Sequence, residues 1–435
     1  MRICLIKTLD AFVKSWSSIK LAVVVDDIQL QGLCKSAAAT ANLVAKATKS
    51  VTSALETECH MIVSLPKLQI LGSNKSVVDN LKLRKRLRKS IVRQARNLGT
   101  DFTAGKAIRP NVRQARIKKM NKRIPFLRRL KAAGGPTERL VKTGLVPGLL
   151  YNVATTGACT TAIRRFRIMA RSAIRTHCIG RSLHLDLQFM GKDLDPGEAA
   201  IARPIGFWAR AMWDKWVPRH EMLGSLQAMY NRLKWTSNPW NELWGPASVV
   251  AASLIRLGWH PKSPVRWVTH LGDICIENVS PRGLEQLAKE AANIFLWKLA
   301  KKDHPELAKI EPLPLLAPVI KLLDKKAISS EWSTTDQGNL RCATVGGRWT
   351  AEKRYNNGML DSPMCARCGN AIGNEHHELF VCDASATHRL QHCCEDSKAM
   401  FATARAHPEW PIWTRALSPD PSFKFPNPTF DMAIT

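Results

Sequence analysis

Between Lys82 and Lys131 the chain carries 19 Lys and Arg residues and one acid, Asp101. No other feature limits the fold as strongly. Lys82-Leu83-Arg84-Lys85-Arg86-Leu87-Arg88-Lys89 is almost unbroken positive charge, extended by Arg93, Arg96, Arg113, Arg116, Lys118, Lys119, Lys122 and Arg123. Helical spacing would spread these charges around much of a helix, leaving Leu83, Leu87 and Ile91 on one side. Such a helix repels itself unless a polyanion neutralises it. The stretch holds more than half of the formal charge of +30. A surplus of that size excludes a typical metabolic enzyme and points to a polyanion partner. Lys and Arg contacts to phosphates give salt-dependent, sequence-blind affinity for RNA or DNA. The other readings are a solvated charged face, a nuclear localisation signal and a membrane-surface helix, the last poorly served by large apolar anchors.

The 435 residues suffice for at least one buried core. Gly144 to Ile163 is the most apolar long segment, but Pro147, Gly148, Asn152 and Gly157 interrupt it, so it reads as a buried element, not a membrane span. The first apolar run, Leu21 to Val25, is too short for a signal peptide and ends in Asp26-Asp27. Twelve scattered cysteines fit free thiols in a reducing compartment. The expected location is therefore the nucleus, otherwise the cytoplasm, with no secretion and no membrane partner.

Ile19 to Val25 and Ile28 to Leu30 predict two short strands, with Met61 to Val63 and Leu68 to Leu71 as further strands. Ser36 to Leu55 has helical spacing. Residues 76 to 200 read as mostly helical, with breaks at Gly134-Gly135-Pro136 and Pro147-Gly148. Nine tryptophans between 201 and 300 read as core and helix contacts in preference to base-stacking platforms. The expected fold class is α+β and mostly helical. The expected division is 1–75, a basic helical 76–200, a Trp-rich helical 201–330, a Cys/His module over 338–400 and a flexible tail over 408–435.

Cys365-Ala366-Arg367-Cys368-Gly369 is a zinc-knuckle-like turn, in which two thiolates two residues apart can face one ion. His376, His377 and Cys382 follow. Taken with His377, the spacing is Cys-x2-Cys-x8-His-x4-Cys, four ligands suited to tetrahedral Zn²⁺. His376 is the alternative ligand, and His388, His392, Cys393 and Cys394 lie close behind. Four protein ligands make a closed, structural site.

In Leu21-Ala22-Val23-Val24-Val25-Asp26-Asp27-Ile28-Gln29-Leu30, two adjacent acids stand between two apolar runs. A hairpin with carboxylates at its bend is a natural platform for Mg²⁺ in phosphoryl transfer; an ordinary β-turn, where Asp is common, is the plainer reading. The stretch resembles the aromatic-x-Asp-Asp hairpin in the palm of LINE-type (non-LTR) retrotransposon reverse transcriptases, with Val24 at the aromatic position. Ser64-Leu65-Pro66-Lys67 and the following apolar run resemble the next palm motif. Asn97-Leu98-Gly99 resembles the turn opening the primer-grip hairpin. Arg113 to Leu130 with Leu145 to Tyr151 resembles the thumb and connection. Gly346-Gly347-Arg348-Trp349, Arg354 and Gly358 resemble the segment before the family's zinc site.

The resemblance implies an RNA-directed DNA polymerase using Mg²⁺ or Mn²⁺. Asp26 would be the metal-binding carboxylate, Asp27 its auxiliary neighbour and Lys67 the general acid on pyrophosphate, or else a surface lysine on backbone phosphate. The family's palm needs a further aspartate on an earlier strand, and fingers. Only 25 residues precede Asp26, and Asp10 is the one acid among them. The expectation is the C-terminal part of a larger polymerase, inactive without its N-terminal portion. The alternatives are a non-enzymatic nucleic-acid-binding protein derived from it, or an unrelated zinc-binding scaffold.

Overall fold

The computed structural model describes residues 2–24, 27–97, 100–103, 111–175, 180–323, 332–392 and 395–418. It is mostly helical, with three small antiparallel sheets among the described residues. The chain divides into two compact units, Met1–Arg116 with Trp235–Val249, and Ile117–Lys234 with Val250–Thr435.

In the first unit, β1 (Ile19–Val24) pairs antiparallel with β2 (Asp27–Gly32). The register sets Leu21 opposite Leu30 and Val23 opposite Ile28. Because side chains alternate along a strand, these pairs share one face. That face packs with Leu5, Leu9 and Phe12 of the Arg2–Ser15 helix and with Ala47, Val51 and Leu55 of the Ala37–Thr57 helix. Ser36 starts the latter helix, its side chain accepting from the Ala39 N–H at 3.1 Å. A second small core joins Ala41 and Ile70 to Val77 and Leu81 of the Lys75–Lys82 helix.

Several local expectations are corrected here. Met61 to Val63 and Leu68 to Leu71 form no strands. Leu65–Lys67 is a single 3₁₀ turn, and Ile70 makes only an isolated bridge to Ile91. The basic run is not a continuous helix, because the helix stops at Lys82 and residues 83–90 form turns ending in the 3₁₀ turn Arg88–Ser90. Crowding six cations between Lys82 and Lys89 disfavours the close i,i+3 and i,i+4 approach that a helix imposes. β3 (Gln94–Asn97) and β4 (Thr100–Thr103) then form a hairpin, whose Leu98-Gly99 turn lies outside the described residues.

Asp101, the lone acid of the basic stretch, sits on β4. It accepts from the Val112 N–H at 2.8 Å, the Arg113 N–H at 3.1 Å and Gln94 Nε2 at 2.7 Å. It thus satisfies orphan donors at the start of the Asn111–Asn121 helix and favours that positive helix end.

The core of the second unit forms around the Thr160–Ile174, Pro196–Trp213 and Pro281–Asp303 helices, with Ile163, Phe166, Ala170, Ile201 and Leu296 buried. Leu145, Val146, Leu149, Leu150 and Val153 join it, as expected for a buried 144–163 segment. Pro147-Gly148 does not break the chain, since both lie within the Val146–Leu150 helix. Proline is tolerated there because the helix runs straight on from the π-helical turn Val141–Leu145, whose wider spacing relieves the missing N–H and the ring's clash with the preceding turn. The break falls at Asn152, which is left-handed with φ 65°. The region 201–330 also holds a small meander, β5 (His260–Pro261), β6 (Arg266–Thr269) and β7 (Gly272–Cys275).

Tryptophans divide between two environments. Trp208, Trp259, Trp267 and Trp297 are buried, as a core reading requires; Trp213, Trp216, Trp235 and Trp244 are exposed. The tail expected from Pro408 does not begin there. Pro411, Trp413, Arg415 and Leu417 are all buried, and only residues 419–435 of the expected tail lie outside the described residues. No described helix is long and apolar enough to cross a membrane.

Candidate metal centre

Cys365, Cys368, His377 and Cys382 bring their ligand atoms within 4.8 Å of one another. Cys365 Sγ and Cys382 Sγ are 3.8 Å apart, and Cys368 Sγ lies 3.3 Å from His377 Nε2. A tetrahedral Zn²⁺ with Zn–S bonds of about 2.3 Å requires sulfurs about 3.8 Å apart. The set therefore fits a tetrahedral ion such as zinc. Cys365 and Cys382 are buried and His377 nearly so, leaving little room for a fifth, exchangeable ligand.

Local chain chemistry builds this arrangement. Gly369 takes φ 68° and donates its N–H to the Cys365 carbonyl at 2.8 Å, closing the knuckle. Glycine alone adopts that conformation without strain. The Cys365 N–H donates to Ala371 O at 2.7 Å, and Met364 bridges to Ile372. Asn374 Oδ1 accepts from the His377 N–H at 2.8 Å. One π-helical turn, His377–Val381, ends with the Cys382 N–H donating to His377 O at 2.8 Å. That wide turn brings the last two ligands together across four intervening residues.

Burial opposes ionisation of Cys365. The backbone N–H groups of Cys368 and Arg367 and the neighbouring thiols outweigh it and hold its pKa below the ordinary value. Burial pushes the Cys382 thiol up, and its sulfur neighbours add to the rise. One thiol is prepared for ionisation and the other is ionised only at a cost that a cation offsets.

The two adjacent histidines are distinguished by geometry. His376 Nε2 donates to Ala404 O at 2.8 Å, and its ring packs against Phe380. His376 therefore serves the core, and His377 is the histidine placed among the three thiols. Cys393 and Cys394 lie outside the described residues.

The loop that carries these residues is braced by a partly buried ionic network. Lys353 Nζ lies 2.6 Å from Glu375 Oε1, two residues before His377. Arg415 Nη2 lies 4.0 Å from Glu375 Oε2 and pairs with Glu306. The Arg415 side chain is 2% exposed. A Cβ on Gly346 would collide with the Arg415 guanidinium, and Gly346 takes φ 76°, a conformation that favours glycine. Burial works against the Glu306 carboxylate, but its hydrogen bond with His304 and the Arg415 charge hold its pKa down at about 2. A second buried set lies deeper. Arg167 Nη2 is 2.8 Å from Asp195 Oδ2 and donates to His184 Nδ1 at 3.1 Å. Burial, then the Arg167 charge, lower the His184 pKa to about 3. None of these network residues carries a motif signal, because their partners are distant in sequence.

Of the expected catalytic residues, the structure describes Asp27 and Lys67. Asp26 lies outside the described residues. Asp27 opens β2 on its exposed side, and Lys67 is exposed at the end of its 3₁₀ turn. Among the described residues no hydrogen bond or ion pair joins Asp27 to Lys67, and no cluster of three or more metal-ligating groups includes Asp27. The described carboxylates do not assemble a two-metal site for Mg²⁺ or Mn²⁺.

Of the expected nucleic-acid contacts, Arg84, Lys85, Arg86, Arg88, Lys89 and Arg93 are exposed, as are Lys118 and Lys119. Arg113 and Arg116 are half-buried on the Asn111–Asn121 helix. Lys82 pairs with Asp79 at 3.0 Å. Among the described residues Arg84, Lys85, Arg86, Arg88 and Lys89 have no carboxylate partner, Arg84 reaching only the Asn42 side-chain oxygen.

No family model, curated protein or solved structure matches this chain.

Proposed function

We propose that this chain binds nucleic acid through its basic stretch, with a structural Zn²⁺ at Cys365, Cys368, His377 and Cys382. The observation that carries the reading is the run of exposed cations from Arg84 to Lys89 without carboxylate partners among the described residues. Unneutralised charge at this density lowers its free energy by taking up phosphates and releasing their counterions. The zinc site stabilises its surroundings and performs no chemistry, because four protein ligands fill the coordination sphere.

The same reading includes descent from a LINE-type reverse transcriptase, with palm, thumb and zinc segment in that order. The β1–β2 hairpin, in which Val24 opposite Asp27 is the last pair before the bend, supports that ancestry, and so does a second hairpin at 94–103. Template-primed DNA synthesis is its second form. It would use Asp26 and Asp27 with Mg²⁺ or Mn²⁺ and needs the further palm aspartate from elsewhere.

Titrating labelled RNA and duplex DNA at several salt concentrations tests the binding reading. A steep negative slope of log affinity against log salt is expected, and salt-insensitive or absent binding overturns it. Primer extension that requires Mg²⁺ or Mn²⁺ and is lost in Asp26→Asn would establish the polymerase form.

A further inference from the structure

On the Pro196–Trp213 helix, Arg203, Phe207 and Arg210 follow one another at spacings of four and three, so they share a face. This is the face turned away from buried Ile201, Ile205 and Trp208. Arg282, in the first turn of the Pro281–Asp303 helix, lies across from them. Together they line an open cavity of about 270 Å³. Its one acid, Glu285, is engaged by Lys289, with Nζ 3.2 Å from Oε1. Among the described residues none of the three guanidinium groups makes a side-chain hydrogen bond or an ion pair. Three cations face one cavity without partners, while the nearest carboxylate has its own.

Aromatic rings border this charge. Phe207 lines the cavity and meets Trp216 edge-on, with ring centroids 5.4 Å apart. Trp216 is 54% exposed and Trp213, three residues beyond Arg210, is 58% exposed. Leaving two indoles in water forgoes a large burial gain. Arginines that track a phosphate backbone beside open aromatic faces are what a single strand needs, because unpaired bases can stack and duplex bases cannot.

We propose that Arg203, Arg210 and Arg282, with Trp216 and Trp213 beside them, form a second nucleic-acid contact selective for single strands. The guanidiniums take backbone phosphates and the indoles take bases. The inference rests on the nucleic-acid reading above and adds a strand preference and a site outside the basic stretch.

The test measures fluorescein-labelled oligo(dT) and a duplex of equal length binding to the full chain across a salt series. R203Q/R210Q/R282Q should weaken oligo(dT) binding and flatten its salt slope by about 2, at roughly 0.7 per lost phosphate contact. Duplex binding should change less. Trp216→Ala should weaken oligo(dT) roughly five- to hundredfold. Unchanged metal content and melting temperature establish that each variant is folded. Should the triple variant not fold, Arg210→Gln carries the same test, with a slope change of about 0.7. If the wild-type chain binds neither ligand, the nucleic-acid reading fails and this inference with it. If charge removal at Arg84 to Lys89 abolishes binding while R203Q/R210Q/R282Q keeps full oligo(dT) affinity and slope, this inference alone is overturned.

Discussion

The metal centre and the basic stretch are both rich in polar groups, yet they use them in opposite ways. Around Cys365 the polar groups act through specific partners, from thiols spaced for one ion to Glu375, which ties the loop to Lys353 and Arg415. From Arg84 to Lys89 the basic side chains are exposed and their positions interchangeable. The first region should respond sharply to single substitutions and the second only to the sum of its charge. A function held by geometry is fragile at each residue; one held by field strength is not.

The largest expected effect is removal of the metal. Cys365→Ser, or a strong chelator, should abolish stoichiometric zinc and unfold the C-terminal region, since structural zinc contributes about 10 kcal/mol or more of folding free energy in small domains. Metal analysis with circular dichroism checks this. The comparison sharpens at the adjacent histidines, where His377→Gln should lose metal and His376→Gln should retain it. Full metal content in Cys365→Ser would remove the geometric half of the contrast.

Next comes the brace. Arg415→Ala removes one partner of a buried pair and should cost toward the low end of about 3–5 kcal/mol, because Glu306 is 39% exposed and partly screened. Denaturant melts measure it. Gly346→Ala should act the same way, through a clash with that guanidinium.

A smaller effect follows from His184. Its folded pKa of about 3 lies well below the ordinary imidazole value of about 6.5, so the unfolded chain binds the proton more readily. Stability is fully present above pH 6.5 and declines as pH falls from there toward 3, by about 1 kcal/mol at pH 5.5. His184→Gln should flatten that window in pH-dependent melts; an unchanged pH profile would mean that His184 is not buried and neutral.

The smallest effect on stability belongs to the basic stretch. Changing Arg84, Lys85, Arg86, Arg88 and Lys89 to Gln should leave the melting curve within about 0.5 kcal/mol, yet flatten the salt slope of duplex binding by up to about 4.5. A single change among the five that abolished binding would break the contrast, because it would mean geometric recognition there as well.

Much of this was readable in the chain itself, and the reason is locality. The Cys-x2-Cys turn, the hairpin around Asp26-Asp27 and the Ser36-capped helix depend on neighbours within a few residues, so spacing and alternation specify them. The surplus of cations followed from counting alone. Tertiary structure decided what depends on distant partners. It separated His377 from His376 through Ala404 and divided the tryptophans between core and surface. It made Asp101 a helix cap, and it drew Arg415 inward to meet Glu306 and Glu375, whose separations of 109 and 40 residues leave no periodic trace. Charge repulsion broke the basic helix that periodicity predicted. Local rules act through covalent spacing, which a sequence displays directly; burial and pairing act through space, which only the folded chain defines.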